Sequence, residues 1–255
     1  MQSDSGSKED ANEPGIPLPI FYRNLTPLDP ARHAGKSLKR QIGFDFARAA
    51  HTLLLNGTEF EAAARNYPIV FTPPPGPAAL AVVGLRSQTN LFIDGNGDWR
   101  QGAYIPAYVR RYPFIFSESP DRQRYMLCID ETAGAIEAGM ERPLFLNGKP
   151  GEVLDGALQF CAAFQRDYQS TGEFVAELGE QGVLTPNQAE ITLNSGEKLA
   201  VTGFHVIDRD RFAGLPDSVF LTWRRKGWLA WAFAHFVSQG NWAALVDLAG
   251  TAPTA

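Results

Sequence analysis

The sequence predicts an α+β fold: a mainly antiparallel sheet drawn from the N-terminal part, with helices mostly in the C-terminal part. Three observations carry this. Short alternating or β-branched runs, separated by proline and Asn-Gly turn signals, fill residues 16–150. After Gly151 the apolar spacing becomes helical. A late return to alternation around Asn194-Ser195-Gly196 inserts one β-hairpin among those helices. Strands in one block and helices in another give segregated layers rather than the alternating units of a parallel sheet. A folded unit over 16–250 preceded by a disordered tail at 1–15 accounts for the chain, and no Ser/Gly-rich linker supports the weak boundary near 150.

Taken in order, PLPIFYRN reads as an edge strand at about 18–23, bounded by prolines. Asp29-Pro30 favours a turn, and Ser37–Arg40 can start a second strand. Residues 44–55 are ambiguous: Phe44 and Phe46 alternate like a strand while ARAAHTLLL could be a helix, and the Asn56-Gly57 turn signal that closes them favours strand or extended structure. Thr58 and Glu61 have capping-box spacing and start a short helix that ends before Pro68. YPIVF is a strand, joined through the loop at 73–77 to an antiparallel partner at 79–85. NLFI pairs across Asp94-Gly95-Asn96-Gly97 with the segment from Trp99. Two prolines confine 106–111 to a short turn, and strands follow from Phe114 and over 124–130. Asn147-Gly148 gives another turn. Apolar residues at 154, 157, 158, 161, 164 and 168 mark one helix face, and a second helix begins at Thr171 and ends at Gly182. The hairpin follows, then an apolar helix of about twenty residues over 218–239 and a last short turn at 241–249.

Composition excludes several function classes. The 255 residues carry 44% apolar and 20% charged side chains, which is an ordinary globular balance. A net charge of -5 gives no electrostatic reason for a nucleic-acid or anionic-membrane partner. No run approaches the ~20 apolar residues of a spanning helix. MQSDSGSKEDANEPG has no apolar core of a signal peptide, so a cytoplasmic location is expected, with a surface location requiring signal-independent export. Cys128 and Cys161 sit in apolar surroundings and read as buried, reduced thiols.

Chemistry-bearing patterns are sparse. The histidines are His33, His51, His205 and His235, and no two have ligand spacing, so no metal is expected. There is no nucleophile elbow, phosphate loop or C-x-x-C motif, and no cofactor is expected. DGNGDW resembles a calcium-loop start but has Ile105 where the bidentate glutamate should be. Asp130 and Glu131 at a strand end, with His205, are the candidates for acid–base catalysis. The richest signal lies at 90–116. Trp99, Arg100, Tyr104, Tyr108, Arg110, Arg111 and Tyr112 interleave aromatic and guanidinium groups, the residue types that make binding hot spots. The alternative is a core layer with arginines reaching outward.

Several blocks together resemble the SapC family: YPIVF, GLRSQTNLFID, YIPAYVRRYPF, LCIDE, PLFLNGKPG and GFHVIDRDRF…GWLAWAFAHFVS. They cover about 16–248. The resemblance implies a link to bacterial surface layers, and company with halogenase-like proteins and outer-membrane nutrient receptors. It supplies no catalytic residues. The residues favour a non-catalytic binding or accessory protein that grips a protein or small-molecule partner through the belt, with a homo-oligomer left open. The alternatives are an enzyme with a non-motif site, using Asp130, Glu131, Arg110 and His205, or a surface-layer component.

Overall fold

A computed structural model describes residues 18–73, 75–118, 124–192 and 196–251. The first half runs β1 (Leu25–Pro27), α1 (Pro30–His33), β2 (Lys36–Leu38), β3 (Thr52–Leu54), α2 (Phe60–Ala63), β4 (Ile69–Phe71), β5 (Ala79–Val82) and α3 (Ala107–Arg110). Next come β6 (Phe114–Glu118), β7 (Tyr125–Asp130), β8 (Ile136–Ala138), β9 (Phe145–Leu146), β10 (Lys149–Pro150) and α4 (Glu152–Glu180). The chain continues through β11 (Leu184–Thr192), β12 (Lys198–Ile207), α5 (Arg209–Ala213), α6 (Asp217–Lys226), α7 (Trp228–Ser238) and α8 (Asn241–Thr251). Every strand pairing is antiparallel among the described residues, and long helices follow Gly151, as an α+β chain requires.

The largest sheet has the order β11-β12-β4-β5-β3, so it joins strands from both sides of residue 150. A second sheet, β1-β7-β6, lies on a separate apolar cluster of Phe114, Ile129, Leu144, Leu154 and Cys161. Helix α4 serves both. Its first half contributes Leu154 and Cys161 to the smaller cluster, and its second half contributes Phe174, Val175 and Leu178 to the main one. Twenty-nine residues of α-helix reach ~43 Å, long enough to bridge two cores.

Several sequence expectations need correction. Residues 18–23 form a turn, not an edge strand, and the strand begins at Leu25. The first helix start is closed by Glu59, whose carboxylate accepts from Asn56 N at 3.1 Å, two residues before the Thr58–Glu61 pair. Thr58 instead donates to Asp167 at 3.0 Å. Within 44–55 only Thr52–Leu54 is strand, and Asp45–Ala47 turns as a short 3₁₀ segment. The two helices expected around Thr171 are one. Thr171 is buried within α4, donating to Asp167 O at 2.6 Å and accepting from Gly57 N at 2.8 Å, so its hydroxyl needs no cap position. The single helix expected at 218–239 is two, broken at Gly227 with φ 78°. The short turn at 241–249 is helix α8. The tail at 1–15, Pro74, and Asn194 with Ser195 at the hairpin tip lie outside the described residues.

Candidate functional site

The site is built on one turn of helix. Pro106 starts α3, and Pro113 prevents its continuation past Tyr112. Its first free N–H, on Ala107, is held by the buried Glu59 carboxylate at 2.6 Å. The same carboxylate accepts from Tyr104 Oη at 2.8 Å and lies 4.0 Å from the Arg110 guanidinium. Burial raises the Glu59 carboxyl above its usual value, partly offset by these donors. Glu59 therefore joins the start of α2 to the start of α3, a role its sequence position did not reveal.

Because α3 is one turn, Tyr108 and Arg111 share a face directed at α4. The Arg111 guanidinium carbon lies 4.6 Å from the Tyr108 ring centroid and 4.2 Å from that of Phe164. A third ring, Tyr22, is 5.8 Å away. Arg111 forms no ion pair among the described residues, and its buried Nε has no hydrogen-bond partner. Arg110 is better tied, donating to Ile105 O at 2.9 Å and Tyr104 Oη at 3.0 Å, with its guanidinium carbon 5.4 Å from the Phe160 ring centroid. Phe160 and Phe164 are one helical turn apart on α4, which is why both reach this place.

A cavity of about 330 Å³ opens between these two helices and β2. Arg110, Arg111 and Arg142 line it with Glu152, against an apolar wall that includes Leu38, Phe114 and Phe160. A neighbouring cavity of about 230 Å³ shares Arg110 and Phe160 and reaches Glu59 and Tyr104. Cys161 also lines the larger one, and burial pushes its thiol up to about 11 despite the nearby Arg111 charge. Burial raises the phenols of Tyr104, Tyr108 and Tyr112 to about 12. These phenols and the thiol therefore stay protonated near neutrality.

The rest of the aromatic belt is placed as follows. Trp99 is buried and donates to Tyr67 Oη at 3.2 Å. Tyr108 is buried, with its hydroxyl on Ile20 O at 3.0 Å. Tyr112 is buried and stacks on Phe46 at 4.0 Å between centroids. Tyr67 in turn donates to Tyr104 O, tying the belt to the core. Arg100 is exposed and lines a different cavity, of about 510 Å³, with Arg65 and Asp247. Belt residues thus divide between core and cavity walls; Phe160, Glu59 and Arg142 complete the cleft without any signal of spacing in the sequence, while Phe164 lies on the helix face that the apolar period marks.

Asp130, Glu131 and His205 lie elsewhere. Asp130 is fully buried and accepts from Arg23 N at 2.8 Å and Thr132 Oγ1 at 2.7 Å, tying the segment before β1 to the end of β7. Glu131 pairs with Arg32 and lies 3.4 Å from His33 and 3.6 Å from Lys36. The Arg32 hydrogen bond holds its carboxyl down at about 2. His205 sits on β12 opposite Phe71 and Pro186. The cavities lined by Arg110 contain none of these three. Asp94 Oδ1 accepts from Asn96 N at 2.8 Å and Asp98 N at 3.0 Å, so it closes the hairpin turn. Among the described residues no group of three or more His, Cys, Asp or Glu side chains could hold a metal, and no helix is long and apolar enough to cross a membrane.

No curated protein and no solved structure matches the chain. The model of one family, SapC, matches residues 28–245, a span that takes in the α3–α4 cleft, the five-stranded sheet and the helices that follow it. On that match the chain belongs to the SapC family.

Proposed function

We propose that this protein is a non-catalytic binding protein whose ligand sits in the cleft between α3 and α4. The observation that carries the reading is Arg111. A half-buried guanidinium gripped by the Tyr108 and Phe164 rings, with no ion pair among the described residues, is an unfinished charge arrangement at a cavity wall. Aromatic clamping fixes its direction before any ligand arrives, which lowers the ordering cost of binding. Arg110 and Arg142 add two further fixed donors. The phenol and thiol groups on these walls are pushed further above neutrality, and the buried Glu59 carboxylate is engaged by donors from Asn56 N, Tyr104 Oη and Ala107 N, which favours holding a ligand over converting it.

The test is a thermal-shift comparison of wild type and Arg111→Met against fractions of a bacterial metabolite extract. At least one fraction is expected to raise the melting temperature of wild type and leave the variant unmoved. Equal shifts in both proteins, or no stabilising fraction for wild type, would overturn the reading.

A further inference from the structure

The ligand class can be read from the same cleft, and this step rests on the binding role just proposed. Three guanidiniums and one carboxylate, Glu152, line the larger cavity; with Arg110 also 4.0 Å from the Glu59 carboxylate, one positive charge remains in excess. Arg142 forms no ion pair among the described residues, and its guanidinium is steadied by donating to Lys39 O at 3.0 Å. The orphaned Nε of Arg111 belongs to the same cluster. Arginines fixed by backbone carbonyls and rings present forked donors suited to an oxyanion. The first residues of α4, Glu152 and Val153, also line the cavity, and Gly151 before them supplies no side-chain cap. The positive end of a long helix dipole therefore adds to the guanidinium field.

Much of the remaining lining is apolar. Leu38, Phe114, Val153, Ala157 and Phe160 cannot hydrogen-bond with their side chains, so they suit a hydrocarbon part. A volume of about 330 Å³ equals roughly ten waters at ~30 Å³ each. That admits a short chain or one ring. We infer that the cleft binds a small amphiphilic anion, an oxyanion head on the Arg111–Arg142 side with a short apolar body against Phe114 and Phe160. Carboxylate and phosphate heads share this chemistry, and the probes separate them.

The experiment is isothermal titration calorimetry of the full chain at low salt with octanoate, octyl phosphate, octanol, octyltrimethylammonium and inorganic phosphate. Octanoate or octyl phosphate is expected to bind, and whichever binds tighter identifies the head. Octanol, octyltrimethylammonium and inorganic phosphate are expected to bind at least tenfold more weakly. Arg111→Met and Arg142→Gln should each weaken the anion at least tenfold. Arg142 lies at the half-exposed rim, so its variant keeps the test open if the Arg111 variant fails to fold. Octanol binding as tightly as octanoate, with loss in the Arg111 variant, would overturn the anionic class while leaving the cleft as the site. Anions bound equally by wild type and both variants, or no binding by any probe, would overturn the inference, and the extract screen would then decide the binding role separately.

Discussion

Single side chains carry the sharpest chemistry here, and they do so through what surrounds them. His235 is buried, and its Nε2 accepts from Ile207 N at 3.1 Å, which requires a neutral ring. Burial pulls its pKa down to about 3. In the unfolded chain the value is ~6.5. Stability from this group is therefore complete above ~6.5 and is lost as pH falls toward 3, by at most ~1.4 kcal/mol per pH unit. Glu131, held down at about 2, adds a separate loss below the ordinary glutamate range of ~4.3. Urea unfolding of wild type and His235→Gln should show the slope between pH 6.5 and 4.5 vanish in the variant, with the Glu131 loss retained below that. An unchanged slope would show that His235 does not titrate on unfolding. The Ile207 partner was not legible in the sequence, where His235 shows only that it has no ligand spacing to another histidine. Arg111 was legible as a binding candidate. Its clamp was not, because Phe164 lies far along the chain and no local period links them.

At the scale of elements, what a residue does depended on whether its signal was local. Asn147-Gly148 turns the β9–β10 hairpin with φ 52° and 74°, and this pair reads directly from sequence. The one-turn α3 is likewise set by its two flanking prolines. Thr171 misleads because a threonine before helix formers resembles a cap. Its hydroxyl is engaged by Gly57, a tertiary partner invisible to periodicity. Gly227 works the other way. An αL residue ends α6 and lets α7 turn back, and the apolar run across it hides the break. A Cβ there would meet nothing within 4 Å, so strain is confined to the backbone. Gly227→Ala should cost about 1 kcal/mol, read by chemical denaturation with an unchanged m-value. A neutral effect would mean that the junction relaxes without penalty.

For the molecule as a whole, α4 is the member that makes a site out of two cores. Its first half packs under β6 and its second half under the five-stranded sheet, and the cleft opens where α3 meets it between them. The fold class, most strands and the hairpins follow from alternation and turn chemistry. The cleft does not, because its walls come from β2, α3, β6 and α4 and converge only after folding. The belt is accordingly neither all core nor all surface: Trp99, Tyr108 and Tyr112 anchor it, while Arg110 and Arg111 face the cavity. The most direct measurement is a chemical-shift map of the ¹⁵N-labelled full chain titrated with concentrated bacterial metabolite extract. The Arg111 Nε–H resonance should move together with amides of 107–112 and 153–164. Largest shifts on the exposed face of α7 or α8, or no shifts at all, would contradict a ligand-binding role for the α3–α4 cleft.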